Sequence, residues 1–269
     1  MITRKIKSLV SLVARQLQYI YLSRYQGSYN FDMTLSDANA RFQTRNQLHS
    51  YMHHYFHYKI PVSIKKHRSY FSKSRRGFGE DAFHAMWYLL LKEFKPHTCL
   101  EIGVYRGQVI SLWSLISREL NYETQIFGIS PFDSSGDSVS KYQNKLDYRH
   151  DTIKNHEAFA LPHPNLLMAY STDEEALALI RSKAWNLIYI DGSHDYEIAL
   201  ADYEICKENL AKGGLLVMDD SSLYTEYLPP MFSFAGHPGP SKVIQERVMH
   251  EMQFIGGVGH NNVFLKIQR

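Results

Sequence analysis

Three short stretches of the chain carry residue types that could do chemistry together. Glu101-Ile-Gly103-Val-Tyr105-Arg-Gly107 sets an acid two residues before a glycine turn. Glycines there let the backbone turn tightly and let a ligand approach it before a helix begins. The spacing is not the G-x-G-x-x-G of dinucleotide enzymes. An acid at 101 would repel a pyrophosphate but suit a ligand with a cationic group, although a purely structural turn reads the same letters. Tyr189-Ile-Asp191-Gly-Ser-His194-Asp195 and Met218-Asp219-Asp220 supply three carboxylates and an imidazole. If Asp191, Asp219 and Asp220 end neighbouring strands they converge, and three carboxylates at one rim repel unless something positive sits among them. A hard divalent cation such as magnesium fits that requirement. The alternative is that one aspartate caps a helix, as Asp195 can, and the others are solvated. His194, three residues past Asp191, can serve as a general base, or as a loop residue bonded to Asp191 or Asp195.

The elements that must position these residues are regular from Glu80 onward. Asp81 to Phe94 reads as a helix ended by Pro96. Strands are expected at Thr98–Gly103, Gln125–Ile129, Leu166–Tyr170, Asn186–Asp191 and Gly214–Met218, with helices at about Gln108–Asn121, Thr152–Ala160, Asp173–Ser182 and Tyr196–Leu210 between them. A helix near Lys242–His250 and strand-like runs at Gln253–Gly257 and Val263–Ile267 follow. Continuous apolar strands separated by helices predict an α/β fold, a doubly wound, seven-stranded, mostly parallel sheet closed by a final hairpin. Ligands of such sheets sit beyond the carboxyl ends of the strands, where the three stretches fall. The loop Gly236-His-Pro-Gly-Pro240 is placed to wall an acceptor pocket.

E-x-G-x-x-x-G, then I-D-G-S-H-D-Y-E, then L-x-K-G-G-x-L-x-x-D-D resembles the class I S-adenosylmethionine-dependent methyltransferases. More narrowly, it is similar to the bacterial group of macrocin- and mycinamicin-type sugar O-methyltransferases and cephalosporin hydroxylase-like proteins. The resemblance spans about Phe78 to Ile267. It implies that Glu101, Gly103, Tyr105 and Gly107 hold the amino-acid end of the cofactor, with Asp191 beside them. It further implies that Asp191, Asp219 and Asp220 ligate a divalent metal, and that His194, aided by Asp191, is catalytic. Where these enzymes usually carry an acid for the ribose, this chain has Ser130, followed by Phe132 and Asp133. Ser171 and Thr172 fall where adenine is usually held, and a helix cap is an equally good reading of them. The implied reaction is methyl transfer to a hydroxyl of a sugar, glycan or glycosylated small molecule. A nicotinamide oxidoreductase and a catalytically silent binding subunit are the rival readings.

Residues 1–77 read as a basic, aromatic-rich N-terminal extension, an amphipathic helix and a lid, ahead of the S-adenosylmethionine-binding methyltransferase domain that the resemblance implies at 78–269. Up to residue 79 the chain holds fourteen Lys/Arg against only Asp32 and Asp37, whereas the rest is acidic and the whole sums to +3. No nucleic-acid motif accompanies the basic charge. Ile2, Ile6, Leu9, Val13, Leu17 and Ile20 recur at helical spacing. That stripe can lie on an anionic membrane surface or pack on the body or on another subunit of a homo-oligomer. His49, His53, His54 and His57 are spaced to tempt a metal reading. With no carboxylate nearby in sequence, an aromatic helix face with solvated imidazoles is the expectation. Ser72 to Gly79 reads as a linker or lid. Two cysteines, no uninterrupted apolar run of membrane-span length and no apparent cleavage site lead to the expectation of a cytoplasmic protein, peripheral on a membrane at most.

Overall fold

The computed structural model describes residues 29–137, 139–140, 142–230 and 233–267, together with Val13, Gln16, Leu17 and Ile20. Of the N-terminal stripe, Val13, Leu17 and Ile20 are helical and exposed; the rest of it lies outside the described residues. No helix among the described residues is long and apolar enough to cross a membrane.

Seven strands form one sheet: β1 (Thr98–Ile102), β2 (Gln125–Ser130), β3 (Asn165–Met168), β4 (Trp185–Ile190), β5 (Leu210–Met218), β6 (Gln253–Val258) and β7 (Asn261–Leu265), in the order β3-β2-β1-β4-β5-β7-β6. β1 to β5 are parallel, and β7 runs antiparallel to both of its neighbours. This is the doubly wound sheet that the strand pattern predicts. Leu215 and Val217 point into one core layer while Leu216 and Met218 point into the other, so alternating residues of β5 are buried on opposite faces.

The register places the chemistry. Ile102 stands opposite both Ile129 and Ile190, and Ile190 stands opposite Met218. The three strand ends are tied by backbone bonds: Gly103 N–H donates to Ile129 O (2.9 Å), Asp191 N–H to Ile102 O (2.8 Å) and Asp219 N–H to Ile190 O (3.0 Å). The order reverses between β1 and β4, which opens the crevice where such sheets bind ligands.

On one face lie α4 (Asp81–Phe94) and α5 (Gln108–Glu119), joined by three earlier helices: α1 (Leu35–Arg41), α2 (Arg45–Tyr58) and α3 (Val62–Phe71). Thr34 with Asp37 and Thr44 with Gln47 form capping boxes that start α1 and α2. Leu35, Leu48, Phe56 and Ile64 share one core with Trp87, Leu215 and Val263. Arg45 pins α2 to the sheet, donating to Ser222 Oγ (2.8 Å) and Asn262 Oδ1 (2.6 Å). The expectation of solvated imidazoles on α2 is overturned. His49, His53 and His54 are each about 1% exposed, because the helix is sandwiched rather than laid on a surface. Burial, with His57 beside it, pulls His53 down to about 3, so it is neutral.

The opposite face carries α7 (Glu174–Arg181) and α8 (Tyr196–Asn209), and α6 (Tyr148–Glu157) follows β2. The helix expected near Lys242–His250 starts earlier: α9 (Pro238–Val243) leads into a π-turn at Ile244–Val248 and α10 (Met249–Glu251). Proline at its first turn suits a helix start, where the missing N–H has no partner to lose.

Candidate functional site

Two cavities open at the crevice, about 210 Å³ and 310 Å³, and share Gly103, Tyr105, Tyr142 and Asp191 as a common wall. The first is also lined by Ser130, Phe132, Asp133, Ser171 and Thr172. The second is also lined by Glu101, His194, Asp219, Asp220, His237 and His260. Of the residues expected to hold a cofactor, Ser130, Phe132, Ser171 and Thr172 line the first cavity, Gly103, Tyr105 and Asp191 form the shared wall, and Glu101 lines the second cavity beside the residues expected to do chemistry.

Gly103 has φ +94°, and a Cβ there would stand 1.8 Å from the Asp191 carbonyl oxygen. The glycine is what lets β1 and β4 end in contact. Gly103→Ala is therefore expected to destabilise the fold itself by more than about 1 kcal/mol, from the backbone conformation alone, as read by urea unfolding. An unchanged midpoint would contradict the close packing. Gly107 (φ +76°) lies outside both cavity walls. It is the left-handed residue preceding α5, and a Cβ there would press on the Thr152 methyl at 2.7 Å.

Glu101 is 3% exposed, and its Oε2 has no hydrogen-bond partner among the described residues. Burial raises its carboxyl well above the usual range, against a backbone hydrogen bond from Ile110 and with Asp219 adding to the rise. Glu101 lines the second cavity, and a buried carboxyl oxygen without a partner gains from a cationic group brought to it. Burial pushes the Asp202 carboxyl up to about 6, with Ser171 acting against the rise. Asp173 occupies the cap position of α7, which disposes of the capping reading of Ser171 and Thr172. Asp133 turns its carboxylate to Ser135.

The three aspartates do converge. Burial, Asp219 and Asp220 raise Asp191 well above the carboxylate range, and its carboxyl hydrogen-bonds to Asp219. What sits among them includes residues that sequence reasoning missed. His260 Nδ1 stands 2.9 Å from Asp219 Oδ1 and 2.8 Å from Asp220 Oδ1. None of these three atoms has a hydrogen bond of proper alignment among the described residues. Burial would lower His260, but the two carboxylates outweigh it and hold it well above the free histidine value. His237 Nε2 is 3.7 Å from Asp220 Oδ2, and its ring stands 4.2 Å from that of His194. The Gly236–Pro240 loop thus brings a side chain to the second cavity, the one that it was expected to wall.

His194 is bonded to neither Asp191 nor Asp195. Its Nδ1 lies 2.5 Å from Asp137 Oδ2 and its Nε2 lies 2.8 Å from Asp220 Oδ2, while its backbone N–H donates to Asp137 at 2.8 Å. Burial opposes charge on the ring, yet Asp220 and Asp137 prevail and raise its pKa. Asp137 itself is fixed by backbone N–H groups of Ser140 and Val139. The segment expected to be a linker is also tied down over the turn after β1. Arg106 donates to the carbonyls of Ser74 (2.8 Å) and Arg75 (3.0 Å), and Gly79 N–H donates to Gln108 (3.0 Å). Gly77 to Gly79 line the second cavity.

Residues 100–221, which contain all three stretches, match a family described as a methyltransferase domain. Three solved structures align over most of their lengths. A Podospora anserina methyltransferase bound to S-adenosylhomocysteine aligns over 78% of this chain and 89% of that one, at 13% identity and a TM-score of 0.53. An O-methyltransferase from Bacillus cereus with the same ligand aligns over 83% and 100%, at 10% identity and 0.53. The O-methyltransferase TomG of Streptomyces achromogenes with S-adenosylmethionine aligns over 84% and 100%, at 10% identity and 0.53. The fold is that of the Rossmann-like methyltransferases. At such identities the likeness to these structures is one of fold. Among curated proteins, an uncharacterized protein of Acanthamoeba polyphaga mimivirus is 25% identical over 133 residues, 48% of this chain. The match covers 52% of that protein, so the chain spans about half the length of this relative.

Proposed function

We propose that this chain is an S-adenosylmethionine-dependent O-methyltransferase, assisted by a divalent metal, acting on a hydroxyl of a sugar, glycan or glycosylated small molecule. The observation that carries the reading is the shared wall. Glu101 and the Gly103 turn face the same crevice as the cluster of Asp219, Asp220, His194 and His260. The solved structures with the same fold that bind this cofactor or its product add support.

When bound, S-adenosylmethionine supplies an electrophilic methyl group on a sulfonium. Glu101 would receive its ammonium group, and Ser130, Phe132, Ser171 and Thr172 line the cavity suited to the nucleoside. Asp219, Asp220 and His260 place three potential ligand atoms within 4.8 Å of one another, close together but without hydrogen-bond alignment, and so fit a metal ion. Such an ion supplies Lewis-acid stabilisation of a developing alkoxide. Asp191 would serve this cluster through its bond to Asp219. His194 would take the proton from the acceptor hydroxyl at Nε2, once the hydroxyl displaces Asp220 from that atom. Phe78, Tyr105, Tyr142 and Phe234 wall the second cavity, and aromatic faces suit the C–H faces of sugar rings.

The test is S-adenosylhomocysteine release with monosaccharides and glycosides as acceptors, with and without Mg²⁺. No release with any hydroxylated acceptor, in protein that binds the cofactor, would reject the enzyme reading. A second expected result concerns Glu101. Burial raises its pKa in the free protein and an ammonium partner would lower it, so binding S-adenosylhomocysteine should release protons at pH values between the free and bound pKa. Glu101→Gln should abolish that release and weaken binding about tenfold, the worth of one charge-assisted hydrogen bond. Calorimetry in buffers of different ionisation enthalpy reads both.

A further inference from the structure

Away from the crevice, α2 and the first turn of α4 bring together three side chains that neither cavity uses. His53 and His57 are one helical turn apart on α2, and Asp81 begins α4. In sequence Asp81 is separated from this histidine run by a whole helix and the Ser72–Gly79 segment. The fold closes that gap. Each of the three offers a ligand atom, and all three atoms lie within 4.8 Å of one another. His57 Nε2 stands 3.2 Å from Asp81 Oδ2, close to the roughly 3.3 Å edge of a tetrahedron with metal–ligand bonds near 2.0–2.1 Å.

The surroundings suit an ion. Arg68 Nε holds Asp81 Oδ1 at 3.0 Å and so orients the carboxylate whose Oδ2 meets His57, as outer partners of metal ligands do. His53 is 1% exposed and Asp81 4%, whereas the His57 side chain is 31% exposed and offers the way in. Two imidazoles and one carboxylate form a donor set for zinc-class ions rather than for magnesium. None of the three residues lines either cavity of the crevice.

We propose that His53, His57 and Asp81 bind one zinc-class transition-metal ion, with a solvent molecule as fourth ligand, clipping α2 to the start of α4. The site is separate from the methyl-transfer centre, and its existence does not depend on that reading of the crevice. It joins an N-terminal helix to the helix packed on the sheet, so occupancy should raise the melting temperature.

The probe is Co²⁺, titrated into the chelator-treated full chain and followed by its visible absorption. The expected result is one equivalent with tetrahedral-type bands that persists in Asp220→Asn, which disables the crevice cluster. His57→Gln, a substitution at a partly exposed position, should weaken that equivalent at least tenfold and remove the Zn²⁺-induced rise in melting temperature. Bands that survive in His57→Gln, or that vanish in Asp220→Asn alone, would overturn the assignment. Should His57→Gln not fold, the wild-type chain decides. Zn²⁺ must protect His57 from diethylpyrocarbonate, localised by mass spectrometry, and modification at the same rate with and without Zn²⁺ would equally refute the site.

Discussion

Replacing His194 with alanine is expected to lower turnover by about 10²- to 10⁴-fold, the usual worth of a placed general base, while S-adenosylhomocysteine affinity stays nearly unchanged. The split follows from geometry, because His194 lines the second cavity and not the first. The pH dependence has a definite sign. Asp220 and Asp137 outweigh burial and raise the pKa of His194 above its ordinary 6.5, so the imidazole is still largely protonated at that pH. The base form accumulates only at higher pH, and the ascending limb of the pH–rate profile should lie above 6.5. Asp137→Asn removes one of the two charges that favour the imidazolium, so it should move the limb to lower pH. Asp137 does not need to touch the substrate to do this; it positions and tunes the ring through Nδ1. Wild-type turnover in His194→Ala would assign the proton to another acceptor, and a limb unmoved in Asp137→Asn would remove Asp137 from that role.

The sheet and half of this centre are legible in the sequence for one physical reason. A parallel strand buried on both faces must be continuously apolar, and its carboxyl end is the first place where polar residues can appear. Thus Glu101, Asp191, His194, Asp219 and Asp220 announce themselves by position, and the register of β1, β4 and β5 does the rest. Boundaries slip where the cue is ambiguous: β5 begins at Leu210, four residues before the expected Gly214, because Gly213 and Gly214 read as a turn. Asp137, His237 and His260 come from connections, and loops carry no periodicity to place them. His237 lies in the Gly236–Pro240 loop already expected at the acceptor pocket, and His260 left a cue as well. It sits between two strand-like runs expected to form the last hairpin, so pairing β7 with β5 brings that turn to the aspartates. The N-terminal helices failed differently. Leu48 to Phe56 of α2 is buried on every side, so its pattern lacks the polar face that marks a surface helix, and its histidines read as solvent-facing when they are core.

Asp220→Asn should be nearly as damaging as loss of His194, about 10²-fold or more in turnover, because this one carboxylate serves both histidines. It holds His194 Nε2 through Oδ2 and approaches His260 Nδ1 through Oδ1. Asparagine is the informative replacement. Residue 220 has φ +48°, a conformation asparagine adopts with little strain, so the change removes charge and not backbone geometry. In the native chain burial disfavours the Asp220 carboxylate, but His194 and His260 prevail and depress its pKa below the ordinary 3.8. A depressed carboxylate contributes stability that is present above its unfolded value and lost as pH falls through its folded value. The variant should therefore melt lower than wild type at neutral pH, and the gap should close as the medium is acidified below about 3.8. The same cluster predicts how an ion would enter. His260 is held protonated between Asp219 and Asp220, so an ion taking those oxygens must discharge it, and metal binding should release protons. Adding Mg²⁺ to weakly buffered protein should lower the pH and support turnover that chelation removes, and both effects should be lost in Asp220→Asn. If turnover survives exhaustive chelation and Mg²⁺ displaces no proton, the imidazolium of His260 is itself the counter-charge of the three carboxylates. Methyl transfer would then proceed on His194 and the aspartates alone.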